Sequence, residues 1–81
     1  MVNSLQKLLD FLIKLENSKI YYRLECNRAE AIMVIITVPG EHWEVEFFAD
    51  KHVEVEIFRR TTGSNLEGEE ALERLLSLHN G

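Results

Sequence analysis

The pattern His-x-Glu-x-Glu occurs twice in the chain, at His42-Glu44-Glu46 and at His52-Glu54-Glu56. In an extended strand, residues two apart share a face, so each copy would set one imidazole and two carboxylates in a row. Three kinds of chemistry follow from such a row. Imidazole with carboxylates is a mixed nitrogen and oxygen donor set, suited to zinc, manganese or iron(II). Two carboxylates held together can share a proton and raise one pKa, as acid/base sites require. A line of negative charge among apolar side chains can also steer a basic protein onto its surface.

The elements that position these residues are two strands, because apolar and polar residues alternate on both sides of Asp50-Lys51. Trp43, Val45 and Phe47 fall on one face with Val53, Val55 and Ile57, and the His/Glu residues fall on the other. A three-residue loop, Ala49-Asp50-Lys51, is the connection that keeps both apolar sets together, with Lys51 in the left-handed conformation. It places Phe47 opposite Val53, Val45 opposite Val55 and Trp43 opposite Ile57. The same register opposes Glu46 to Glu54 and Glu44 to Glu56 with Cβ atoms roughly 5 Å apart, a destabilising arrangement.

Two further strands precede this hairpin. Residues 20–27 carry Ile20, Tyr22, Leu24 and Cys26 on one face, which predicts an inert buried thiol. Residues 31–38 are the most apolar run and predict a central strand. Pro39-Gly40 predicts a tight turn with the glycine at positive φ, setting Ile36 against Trp43, Val34 against Val45 and Ile32 against Phe47. Ile35 then lies beside Glu44, and Met33 beside Glu46. The second face is mixed: Tyr21, Met33, Ile35, Phe48 and Phe58 surround the glutamates.

Helices are expected at both ends. Leu5, Leu8, Leu9, Leu12 and Leu15 recur at helical spacing over residues 4–16, flanked by Phe11 and Ile13, with Asn3 or Ser4 as N-cap. Residues 61–65 read as a loop and residues 66–79 as a helix, with a Ser64/Glu67 capping box, a Glu70–Arg74 pair and an Asn80-Gly81 stop. The expected fold is α+β: a two-layer sandwich, a four-stranded antiparallel meander with the N- and C-terminal helices on one face (αββββα). Its expected core is Leu8, Leu12, Tyr22, Leu24, Val34, Ile36, Trp43, Val45, Val55, Leu72 and Leu76. With both helices on one side, the His/Glu face is open.

The 81 residues bound the chain to one domain, residues 1–81. A formal charge of −5, with basic residues scattered, argues against nucleic acid. No apolar run approaches membrane-spanning length and the Met-Val-Asn-Ser start lacks a basic leader, so a cytoplasmic protein without membrane contact is expected. One cysteine cannot build a disulfide framework or a Cys-rich zinc site. The chain has no Gly-rich phosphate loop, no Gly-x-Ser-x-Gly elbow and no Cys with an obvious His partner. An exposed carboxylate pair has no pocket to exclude water, so neither an enzyme nor a cofactor is expected.

The runs Trp43-Glu-Val-Glu-Phe, Val53-Glu-Val-Glu-Ile-Phe and Gly68-Glu-Glu-Ala-Leu-Glu-Arg-Leu-Leu resemble small, uncharacterised bacterial proteins of αββββα layout. The likeness spans residues 20–78 and implies a fold but no activity; the Asp50-Lys51 turn departs from the Asp-Gly typical of such proteins. Some bacterial immunity proteins are similarly small, acidic and mixed α/β, which suggests an immunity- or antitoxin-like role by analogy. The expected function is a protein-interaction module, a homodimer or a binder of a basic partner. Its surface would be Tyr21, Met33, Ile35, Glu44, Glu46, Phe48, Glu54, Glu56 and Phe58, with Arg23 or Arg59-Arg60 able to neutralise the stripe. The alternative is a divalent-metal protein using His42, Glu44, Glu46, His52, Glu54 and Glu56.

Overall fold

A computed structural model describes residues 3–79. Helix α1 (Ser4–Asn17) is followed by strands β1 (Tyr22–Arg28), β2 (Ala31–Val38), β3 (Glu41–Phe48), β4 (Val53–Arg59) and β5 (Gly63–Glu67), then helix α2 (Ala71–Leu78). The strands form one antiparallel sheet in the order β1-β2-β3-β4-β5, and both helices join the core on a single face of it. The α+β, two-layer layout is therefore present, with five strands in place of four.

The expected register holds at every pair. Ile36 meets Trp43, Val34 meets Val45 and Ile32 meets Phe47; across the next ladder Phe47 meets Val53, Val45 meets Val55 and Trp43 meets Ile57. Turn chemistry explains this. Gly40 takes φ +80° behind Pro39, and Lys51 takes φ +75° at the end of its three-residue loop. The buried centre is Val34, Ile36, Trp43, Val45, Val55 and Ile57 beneath Leu8, Phe11, Leu15, Leu72 and Leu75.

The fifth strand corrects the expected loop and helix start. Gly63, at φ +80°, turns the chain back so that Ile57 pairs with Asn65 and Glu56 with Leu66. Ser64 and Glu67 are strand residues, not a capping box. α2 begins at Ala71, its N-cap Glu70 makes no side-chain capping bond, and Arg74 pairs with Glu67 of β5 at 3.4 Å rather than with Glu70. Glu69 instead binds Lys7 of α1 at 2.9 Å. The expected stop at Asn80-Gly81 lies outside the described residues.

α1 begins as expected, with the Asn3 side chain accepting from Gln6 N–H at 2.7 Å. Its rotation differs from the leucine stripe. Leu8, Phe11 and Leu15 face the core, whereas Leu5, Leu9 and Ile13 are exposed. β1 also departs from expectation. Glu25 pairs with Met33 but Arg28 with Ala31, so β1 spends three steps where β2 spends two. This is a β-bulge, which bends the strand and flips the face of every later side chain. Cys26 becomes exposed instead of buried, and Leu24 at the sheet edge is half-exposed rather than in the core.

Candidate functional site

The open face is organised by a local two-fold symmetry of the β3–β4 hairpin. Val45 lies opposite Val55 at its centre, Glu46 opposite Glu54 and Glu44 opposite Glu56, with His42 opposite Phe58. At the other end Phe48 stacks on His52, centroids 4.7 Å apart and planes 11° from parallel, while His42 meets Phe58 edge-on at 5.6 Å. Each histidine also places Nε2 near the glutamate two residues on: 3.2 Å for His42–Glu44 and 3.1 Å for His52–Glu54. The repeat thus runs His-x-Glu-x-Glu-x-Phe, and its antiparallel pairing gives each of its two imidazoles the following carboxylate and one phenyl ring; His52 Nδ1 also lies 3.9 Å from Asp50 Oδ1.

Glu46 is the exception to the picture of solvated outward glutamates. It is buried, though on the open face and away from the helices, and Arg28 accounts for that. Nε and Nη2 of Arg28 donate to Oε2 and Oε1 of Glu46 at 3.1 and 3.0 Å, a two-pronged pair. The guanidinium also lies 5.0 Å from the Phe48 ring centroid. The hydrogen bonds donated to Glu46, and then its charge, push the Arg28 pKa up; burial opposes this, and Glu30 and Glu54 add to the rise. The bulge makes the pair possible, because unbroken alternation would have sent Arg28 to the helix side. Neutralisation by Arg23 or Arg59-Arg60 is not what forms: Arg23 binds Glu25 at 2.7 Å, and Arg59 binds Glu41 at 2.8 Å.

The other expected contact residues divide by exposure. Ile35 is buried within the face, so neither it nor Glu46 offers surface to a partner. Met33, Glu44, Phe48, Glu56 and Phe58 are half-buried, Glu54 is exposed, and Tyr21 stands 87% exposed at the β1 margin. Leu66, assigned from sequence to a helix, belongs to this face: it lies opposite Glu56 on β5 and is 82% exposed. The hollow bounded by Met33, Glu44, Glu54, Glu56 and Leu66 holds about 60 Å³. Small-molecule sites run to roughly 300–1,000 Å³, so this is a textured surface and not a pocket. A larger groove of about 460 Å³ separates α1 from α2, floored by Phe11 and Phe47 and rimmed by residues of both charges.

For metal binding the two-fold symmetry matters most, since it sends the histidines to opposite ends of the stripe. Among the described residues, no three His, Cys, Asp or Glu side chains are grouped as a metal would need. Glu46 is also committed to Arg28. Zinc or manganese at millimolar concentration is accordingly expected to leave the melting temperature unchanged. A rise that disappears in the His52→Ala/Glu54→Gln variant would instead establish a site at that end.

No helix among the described residues is long and apolar enough to cross a membrane. No protein-family model, curated protein or solved structure matches the chain.

Proposed function

We propose that the chain is a non-catalytic, cytoplasmic protein-interaction module whose open sheet face docks a basic segment of another protein. The observation that carries this reading is the charge left on that face once its internal pairs are counted. Five strand glutamates, Glu25, Glu44, Glu46, Glu54 and Glu56, share the face with two strand arginines, Arg23 and Arg28, and both arginines are engaged by Glu25 and Glu46. Among the described residues, the direct ion-pair partners of Glu44 and Glu54 are histidines, and Glu56 meets no basic side chain. Opposed glutamates destabilise each other by about 0.2–1 kcal/mol per pair. A Lys- or Arg-bearing segment would relieve that repulsion and cover Met33, Phe48, Phe58 and Leu66 together. Aromatic and methionine side chains framed by charge are what protein interfaces favour. The cytoplasmic setting is consistent with a single exposed cysteine, which a reducing compartment keeps as a free thiol.

The test compares the wild-type chain with a Glu44→Gln/Glu54→Gln/Phe58→Ala variant. Binding to a Lys/Arg-rich peptide at low salt is expected to weaken about tenfold or more in the variant, and affinity capture from the host should lose its basic proteins. Equal peptide affinity, or the same proteins recovered by both forms, would defeat the proposal.

A further inference from the structure

A second stretch of exposed apolar side chains lies along the free edge of β1. Tyr22 Oη donates to Glu16 of α1 at 2.6 Å, which shows the flank of α1 that overhangs this edge. Leu12, Leu9 and Leu5 continue the same flank toward the helix N-terminus at helical spacing. Leu5 is 63% and Leu9 42% exposed, and Leu24 of β1, on the helix side of the sheet, is 48% exposed.

The backbone below this shelf is unpaired in a regular way. Ala49 N–H donates to Glu30 C=O at 2.9 Å, in line with the β2–β3 ladder. Even-numbered residues of β2 therefore turn their peptide groups toward β3, and Met33 and Ile35 turn theirs toward β1. Those two pair with Glu25 and Arg23. The N–H and C=O groups of Tyr22 and Leu24 are left pointing out of the sheet.

We infer that β1 pairs antiparallel with β1 of a second copy of this chain, about a two-fold axis through Leu24, joining two five-stranded sheets into one. Charge selects both the partner and the register. Only registers that shift by two residues keep the helices of both copies on the same side. Centring the axis on Leu24 puts Arg23 opposite Glu25 of the second copy, twice by symmetry. Moving the centre one residue either way puts Arg23 against Arg23, or Glu25 against Glu25. Leu24 meets Leu24, and the Leu5–Leu9 flanks of the two α1 helices close over them. The bulge after Glu25 ends the regular edge at that point, confining the regular part of the new ladder to residues 23–25. A two-fold contact of this kind is closed and consumes the edge, so it yields a dimer and not a filament. It uses a surface separate from the open face and does not depend on how that face functions.

Sedimentation equilibrium on Arg23→Glu, Glu25→Arg and their equimolar mixture tests the inference. The wild-type chain is expected to dimerise. Each single variant opposes like charges at two positions and should dissociate, its Kd rising about tenfold or more. The mixture should recover the dimer, because every Glu then faces an Arg of the other variant. Folding effects cannot mimic that recovery, since each chain carries the same internal charges alone and mixed. A wild-type monomer at ~1 mM, against the ~μM affinity of an ordinary specific dimer, would overturn the inference. So would a dimer indifferent to both reversals, or a mixture that stays monomeric. The Glu44→Gln/Glu54→Gln/Phe58→Ala chain should remain a dimer; its dissociation would move the interface to the open face and overturn the assignment to β1.

Discussion

Replacing Trp43 with alanine should cost about 3–5 kcal/mol of folding stability, the largest single loss available in this core. A domain of this size holds on the order of 4–12 kcal/mol in total, so the variant should be close to unfolding at room temperature. Trp43 is 1% exposed, with Ile36 and Ile57 opposite it on the flanking strands. Phenylalanine separates packing from polarity at this site. The Trp43 Nε1–H donates to Glu41 Oε1 at 2.9 Å, and Arg59 Nε donates to Oε2 of the same carboxylate at 2.8 Å. Burial opposes ionisation of Glu41, but those two hydrogen bonds and the Arg59 charge outweigh it and hold its pKa below the ordinary carboxylate value. A carboxylate whose folded pKa is depressed adds stability above its unfolded pKa and loses it as pH falls through the folded one. Wild-type stability should therefore fall on acidification through and below the usual glutamate range. Trp43→Phe, with one donor gone, should show a shallower fall and a smaller deficit at neutral pH than alanine. Urea midpoints at neutral and acid pH check both points. Identical acid dependence in wild type and Trp43→Phe would remove the indole from the account, and a loss below ~1 kcal/mol in Trp43→Ala would contradict its place in the core.

The ladder register was legible because two independent constraints agreed on it. Pro39-Gly40 and Ala49-Asp50-Lys51 set loop lengths, and the parity of Trp43, Val45, Val53 and Val55 admits no slip by one residue. β5 was not legible, for a physical reason. Alternation reports burial, and a strand exposed along nearly its whole length has none to report. Its single apolar residue, Leu66, points to the open face, while the Ser64–Glu67 spacing imitates a helix start. The rotation of α1 was hidden differently. Five leucines define a stripe wider than the contact, and nothing local shows whether Leu5 and Leu9 or Phe11 and Leu15 lie at its centre. The side taken by Arg28 is concealed in the sequence. It depends on a bulge at Cys26-Asn27, which leaves no periodic trace, yet that bulge decides how Glu46 can be buried. The phenylalanines that complete the ten-residue repeat were a readable signal of the hairpin's two-fold symmetry.

Arg28 and Glu46 should behave as a unit when taken apart. The two ends of the pair are unequal, the Glu46 side chain being 7% exposed and that of Arg28 50%. Arg28→Met leaves a carboxylate enclosed by Phe48, Met33 and the opposed Glu54 with no cation to bind. It should lower the melting temperature by roughly 5 °C or more. Glu46→Leu removes the enclosed charge and one of the two opposed glutamate pairs, while the half-exposed guanidinium can turn toward water. Its loss should be clearly smaller. The double variant should then sit near Glu46→Leu and well above the sum of the two single losses, because the damage in Arg28→Met is the stranded carboxylate and not the lost contact. Thermal melts of the four proteins close the cycle. Additive losses, or an Arg28→Met protein as stable as wild type, would mean that Arg28 does not hold Glu46 in place. The bulge in β1 would then have no electrostatic purpose on the open face.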